Sequence, residues 1–245
     1  MTLSEVPVPR REEATFARDL RRMFTRIAGQ YSFVDHLTTF GLDLLWRPEA
    51  LWQLDRRNGP PPRRILDLGC GPGDLTFELR RHFPQASILG MDFTPAMVRR
   101  ARERTGPGDP PSFGLADAQA LPFRDATFDL VTSAFLIRNL PRLREGLAEM
   151  RRVLRPGGAL LALEVGEPPS SWFSPLFHAY FDRVVPKVGG LLGTEAPYRY
   201  LSTSLRSLPS REAILQMLEG LGFVDGSFHL LSGGIVSTFL ARAPG

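Results

Sequence analysis

Between residues 63 and 165 of this 245-residue chain, short apolar runs alternate with amphipathic stretches, and turn residues mark most of the changes of period. RRILDL reads as a buried strand ending at Leu68, and a glycine turn leads from it into helical DLTFELRRHF. SILGMD is a second strand, followed by helix PAMVRRARER; SFGLAD is a third, after the turn-rich TGPGDPPS. Strand FDLVTS, helix LREGLAEMRRVL, the RPGG turn and strand ALLALEV complete the series. Short strands separated by helix-length segments pair side by side through right-handed crossovers, which puts helices on both faces of a mostly parallel sheet. The tail reads as helix REAILQMLEGLG, a strand over 223–230, a turn at Gly233–Gly234 and strand IVSTFLAR. That last pair is expected to close the sheet as an antiparallel hairpin.

Upstream of this series Phe16, Leu20, Met23, Phe24 and Ile27, then Phe33, Leu37, Phe40, Leu44 and Leu45, recur mostly at three or four. They predict two or three amphipathic helices interrupted at Gly29 and Gly41, a helical cap over residues 1–55. RRNGPPPRR is the clearest break, because consecutive prolines forbid a helix interior, and it opens a main domain over 56–245. Within that domain residues 168–209 are rich in proline and aromatics, which suggests an acceptor-site insertion or lid.

With 43% hydrophobic residues and 17 Phe the chain can fill a core, and a net charge of +4 does not imply a nucleic-acid partner. The single cysteine, Cys70, excludes an internal disulfide framework and a thiolate zinc cluster. The N-terminal MTLSEVPVPRR lacks the apolar run of a signal peptide, and no stretch approaches the roughly 18 apolar residues of a spanning helix. A cytoplasmic protein is expected, with any membrane contact peripheral and at the inner face.

Gly69, Gly71 and Gly73 form GxGxG after a strand and before a helix, the context in which glycines let the backbone turn tightly and approach a cofactor. No GK[ST] follows, which removes the P-loop reading. A dinucleotide would place its pyrophosphate at the helix start, where Asp74 is an awkward neighbour. S-adenosylmethionine has no phosphate and carries a sulfonium and an ammonium, so its site has a use for acids. Asp67 at the first strand end is placed to orient the ammonium, and Asp92, closing the second strand, has two oxygens for two ribose hydroxyls. Asp117 and Ala118, after the third strand, are placed for the adenine edge. As plain structure, each acid is a solvated strand end.

DLGCGPGDLT, GMDFTPAMV, ADAQALPFRDATFDLV and EMRRVLRPGGALLALE resemble the successive motifs of class I S-adenosylmethionine-dependent methyltransferases. More narrowly, the chain is similar to the demethylmenaquinone and polyprenyl-benzoquinol C-methyltransferase family. That match rests on MFTRIAGQYSFVDHLTTFGLDLLWR, FLIRNLPRLREGLAEMRRVLRPGG, YRYLSTSLRSLPS and LLSGGIVSTFLA. The resemblance implies a Rossmann-like α/β fold with a mostly parallel seven-stranded sheet, a C-terminal antiparallel hairpin, helices on both faces and an N-terminal helical cap. It also implies a polyprenyl quinol acceptor, transient contact with the membrane surface, no nucleic acid, no metal, and a homodimer as one option. Two departures stand out: Tyr31-Ser32 and Asp35 where the family has Tyr-Asp and a following Asn, and Leu231-Ser232 in the final motif. They keep open a paralogue acting on another apolar or aromatic small molecule; a non-catalytic cofactor-binding scaffold is the further alternative.

Methyl transfer to a ring carbon needs the neighbouring phenol to lose its proton, hence a base or a fixed cation. The resemblance assigns Arg138 and Asn139 to the acceptor, Arg138 as a cation for phenolate oxygen and Asn139 as an orienting group; as plain structure the pair caps the following helix. Tyr31 and Phe93 join the cofactor set, Tyr31 as a cover and Phe93 beside Asp92 in GMDFTPAMV. Asp35, His178 and His229 are candidate bases by residue type, and Tyr200 and Arg206 are placed at the acceptor mouth. In DNA and RNA amino methylases an Asp/Asn-Pro-Pro-aromatic tetrapeptide follows the fourth strand, where this chain has Ser133-Ala134-Phe135-Leu136.

Overall fold

The computed structural model describes residues 10–29, 31, 39, 41–57, 59–108, 110–166, 168–169, 179, 200, 204 and 208–245. Helix α1 spans Arg10–Ile27 and α2 Asp43–Asp55. The alternating series follows as β1 Arg64–Leu68, α3 Asp74–His82, β2 Ser87–Asp92, α4 Pro95–Glu103, β3 Ser112–Leu115, β4 Phe128–Ala134, α5 Leu143–Val153 and β5 Leu154–Val165. After the segment over 168–209, most of which lies outside the described residues, come α6 Arg211–Gly220, β6 Val224–Leu231 and β7 Val236–Arg242.

The seven strands form one sheet in the order β3-β2-β1-β4-β5-β7-β6. The first five are parallel, and β7 runs antiparallel to both β5 and β6. The expected hairpin is present, but its second strand inserts between β5 and the first, so β6 is the edge. The RPGG segment also differs from a simple turn. Leu154 pairs with Phe128 and Ala159 with Leu130, so residues 155–158 bulge out inside β5, with Gly157 at φ 73°.

Alternate residues of the central strands face opposite sides, and both sides are covered. Leu66, Leu68, Val131, Leu160 and Phe239 pack with Leu147, Met150, Ile214 and Leu218 of α5 and α6. Ile65, Leu130, Leu161, Leu163 and Leu240 pack with Trp46, Leu51, Leu75 and Leu79 of α2 and α3. This period of two with both faces apolar explains why these strands read as near-continuous hydrophobic runs. Strand order reverses between β1 and β4, which opens a crevice at the carboxyl ends of the strands.

Candidate active site

A cavity of about 830 Å³, counted out to its mouth, lies over that crevice. Its floor follows the strand ends: Leu68, Gly69 and Gly71 after β1, Asp92 and Phe93 after β2, Ala116 to Gln119 after β3, and Ala134 to Leu136 after β4. Phe16, Ala17, Leu20 and Phe24 from one face of α1, together with Tyr31, close it from above. Met97 on α4 joins the wall and packs with Ala96, Ala28, Phe24 and Tyr31, so the N-terminal cap is tied to the main domain at the cavity.

Gly69, Gly71 and Gly73 all have positive φ, 63°, 54° and 94°. The three need glycine for different reasons. A Cβ on Gly69 would stand 2.9 Å from Leu136 Cδ1, and one on Gly73 2.8 Å from Phe77 Cε2. On Gly71 it would meet no protein atom within 4 Å, because that position faces the cavity. Asp92 ties the turn to β2: Gly71 N–H donates to Oδ2 at 3.0 Å and Thr94 N–H to Oδ1 at 2.8 Å. Burial pushes the Asp92 carboxyl above its ordinary range, and these two amides partly offset the effect. Asp117 is exposed and accepts from Gln119 N–H at 2.9 Å, while Ala118 beside it is buried.

Of the residues expected from sequence, the cavity gathers Tyr31, Gly69, Gly71, Asp92, Phe93, Asp117, Ala118 and Asn139. Three others stand behind the wall. Asp67 is 1% exposed and accepts from Thr76 Oγ1 at 2.5 Å and Thr132 Oγ1 at 2.9 Å, so its carboxylate joins β1, α3 and β4. Burial raises its pKa to about 7. Gly73 caps α3 against Phe77 and Phe113. Arg138 is buried in an ion pair with Glu164 and is not among the described residues that line the cavity. Asp35, His178 and Arg206 lie outside the described residues. His229 is exposed on edge strand β6 and is not part of the wall.

Asn139 sits at the end of a 3-10 turn, Ile137–Asn139, that the strand-helix reading missed. Its Nδ2 donates to Phe135 O at 2.8 Å, and its Oδ1 accepts from Tyr200 Oη–H at 2.9 Å. Burial pushes the Tyr200 phenol up to about 12. Phe135 itself has φ 60°, a left-handed conformation that costs a bulky residue about 1–3 kcal/mol, and such strain gathers at functional sites. The sequence carried no sign of it beyond the position directly after β4. The α1 wall was foreshadowed by its periodicity, though not its place over the cofactor residues.

The altered final motif has a structural explanation. Trp46 Nε1–H of α2 donates to Ser232 Oγ at 2.7 Å, and a Cβ on Gly234 would stand 2.4 Å from Pro169. Ser232 therefore latches the β6–β7 corner to the cap and is absent from the cavity wall.

Sheet order, glycine turn, the acid closing β2 and a cavity over the switch point together define a class I S-adenosylmethionine-dependent methyltransferase. The model of the ubiE/COQ5 methyltransferase family matches residues 12–242, and the chain belongs to that family. Demethylmenaquinone methyltransferase of Thermus thermophilus is 40% identical over 224 residues, which cover 91% of this chain and 100% of the relative. Its counterpart in Deinococcus radiodurans is 39% identical over 83% of this chain and 84% of its own. Ubiquinone/menaquinone biosynthesis C-methyltransferase UbiE of Geotalea uraniireducens is 36% identical over 91% and 95%. Among solved structures, human N-acetylserotonin methyltransferase in complex with SAM aligns with a TM-score of 0.63 over 91% of this chain and 59% of that one. At 19% identity that likeness is one of fold alone.

Proposed function

We propose that this chain methylates a ring carbon of demethylmenaquinol, with S-adenosylmethionine as donor and menaquinol as product. The observation that carries the reading is one cavity that joins a cofactor floor to an apolar, aromatic remainder: Phe16, Leu20, Phe24, Phe135 and Leu140. The floor suits the donor. Gly71 leaves a surface that a Cβ would fill, and each Asp92 oxygen, having accepted one amide, keeps a second acceptor position for a ribose hydroxyl. Asp117 and the Ala118 amide serve the adenine edge, and Phe93 and Met97 supply apolar contact.

Bound there, S-adenosylmethionine supplies an electrophilic methyl whose bond to sulfur breaks with the electron pair staying on sulfur. The chain's contribution is alignment at about 3–3.5 Å, exclusion of water and management of one phenolic proton. The α1 face and Tyr31 supply an apolar cover to the cavity. Asn139, held by Phe135 and Tyr200, keeps further donor and acceptor positions with which to orient a ring hydroxyl. We assign the base to Asp35 or His178 on residue type, an acid or an imidazole able to take one phenolic proton.

The domain reading follows: residues 1–55 are the cap, 56–245 the catalytic domain and 168–209 the acceptor lid. Among the described residues no helix is long and apolar enough to cross a membrane. We place the protein in the cytoplasm with peripheral contact at the inner membrane face. Leu44, Leu45 and Trp52 on α2, at 56%, 64% and 51% exposure, support that contact. Purified protein, labelled donor and reduced demethylmenaquinone in detergent, beside a ubiquinol-pathway acceptor, test the reading. Label in menaquinol is expected; cofactor binding with neither quinol labelled would overturn it.

A further inference from the structure

Arg138 and Glu164 follow or end adjacent parallel strands, β4 and β5, at the cavity end of the sheet. Their side chains are 8% and 1% exposed. Glu164 holds its neighbour twice: Oε1 accepts from Arg138 Nη1, and Oε2 accepts from the Arg138 backbone N–H at 3.1 Å. Val165 N–H donates to Oε1 at 3.0 Å, so both oxygens are engaged. An ion pair buried this deeply adds little net stability over well-packed apolar residues. Its place in the fold points to another use.

Arg138 lies one layer behind the wall. Its guanidinium carbon is 5.6 Å from the Phe135 ring centroid, and the next residue is Asn139; both Phe135 and Asn139 line the cavity. Asn139 accepts from Tyr200, a phenol one hydrogen bond from the wall. Both charges are felt at that phenol: after burial, Arg138 pulls its pKa down and Glu164 pushes it up. Among the described residues, Arg211 donates to Ser237 Oγ at 2.5 Å, Ser237 being the register partner of Glu164 on β7.

We propose that Glu164 is a positioning and counter-charge residue for methyl transfer: it holds Arg138 in place and limits how much of that positive charge reaches the acceptor's hydroxyl. The inference rests on the quinol reading above. It makes a signed prediction, because removing the Glu164 charge while keeping the shape makes the potential behind the wall more positive. The acceptor phenol then ionises more readily.

Glu164→Gln tests it. The acid limb of kcat at saturating demethylmenaquinol, which reports groups in the bound complex, should move to lower pH by roughly one unit, the scale of a nearby charge. S-adenosylhomocysteine affinity by calorimetry should stay within about two-fold, since the pair lies off the cofactor floor. A purely structural role would lower the rate at every pH and leave the limb in place, and that result would overturn the proposal. Arg138→Gln combined with Glu164→Gln removes both charges and should return the limb toward the wild-type position. If Glu164→Gln does not fold, Glu164→Asp, which draws the charge back by one methylene, decides: a smaller shift in the same direction supports the proposal, an unmoved limb refutes it. A readout without turnover separates this inference from the quinol reading. The absorbance of 4-nitro-1-naphthol bound in the presence of S-adenosylhomocysteine reports its ionisation directly, and its pKa should fall in the Gln variant. A fall there with no quinol methylated by the wild type would refute the acceptor and leave the role of Glu164 standing.

Discussion

Asp92→Asn probes the link between fold and cofactor site with the smallest change of shape. The carboxylate takes one buried amide on each oxygen, from Gly71 and Thr94. An asparagine has one acceptor oxygen, so whichever way its amide is turned, one of the two N–H groups faces another donor. A buried donor without a partner costs about 1–3 kcal/mol. At about 2–4 °C per kcal/mol for a chain of this size, the melting temperature should fall by roughly 2–12 °C. Binding suffers separately, because one charged acceptor of a ribose hydroxyl is gone. A hydrogen bond to a charged group contributes about 1.5–3 kcal/mol, or roughly a 10- to 150-fold rise in Kd. Thermal unfolding gives the first quantity and calorimetry with S-adenosylhomocysteine, below the shifted melting temperature, the second. A folded variant whose Kd stays within two-fold of wild type would refute the ribose assignment.

Gly71→Ala and Gly69→Ala should separate ligand approach from packing. The first strains only a positive φ, a loss of about 1–2 kcal/mol, yet raises the cofactor Kd at least ten-fold; the second adds the 2.9 Å approach to Leu136 and loses more stability. Paired melting curves and titrations check the contrast, and equal cofactor affinity in Gly71→Ala and wild type would contradict it. Asp67 gives a pH signature of unusual sign. Its folded pKa of about 7 lies above the unfolded value near 3.9, so the folded state binds the extra proton and stability falls as pH rises between those values. Asp67→Asn should flatten that part of the stability profile; an unchanged slope in urea unfolding from pH 4 to 8 would count against the buried-acid account. Tyr200→Phe removes the hydroxyl bonded to Asn139 and should raise the KM for quinol while sparing S-adenosylhomocysteine affinity. Steady-state kinetics with both substrates varied distinguishes the two effects.

The sheet was readable in the sequence because its central strands are apolar on both faces and turn residues mark most of the changes of period. Gly69, Gly71, Asp92, Asp117 and Ala118 were readable for the same reason: position after a strand end is enough to place a side chain in the crevice. What escaped depends on partners distant along the chain. Asp67 and Asp92 both lie at the carboxyl ends of strands, and only tertiary structure shows that Thr76 and Thr132 bond the first while the second lines the cavity. Arg138 was legible as a cation beside the site, but its partner Glu164, 26 residues on, was not. The insertion of β7 between β5 and β6 is likewise invisible to periodicity, since either order buries the same alternating residues. Ser232 stood out in sequence only as a departure from the family motif, and its bond to Trp46 spans 186 residues.

The account's central claim is that the methyl goes to a ring carbon held in the same cavity as its donor. The direct measurement uses S-adenosylmethionine with a trideuterated methyl, reduced demethylmenaquinone and the purified chain, followed by reoxidation in air and mass spectrometry of the quinone. Carbon methylation leaves both ring hydroxyls able to oxidise, so the account predicts menaquinone carrying the full trideuterated methyl. Label recovered only in a methyl ether that fails to reoxidise, or no label in any quinone although the cofactor binds, would contradict it.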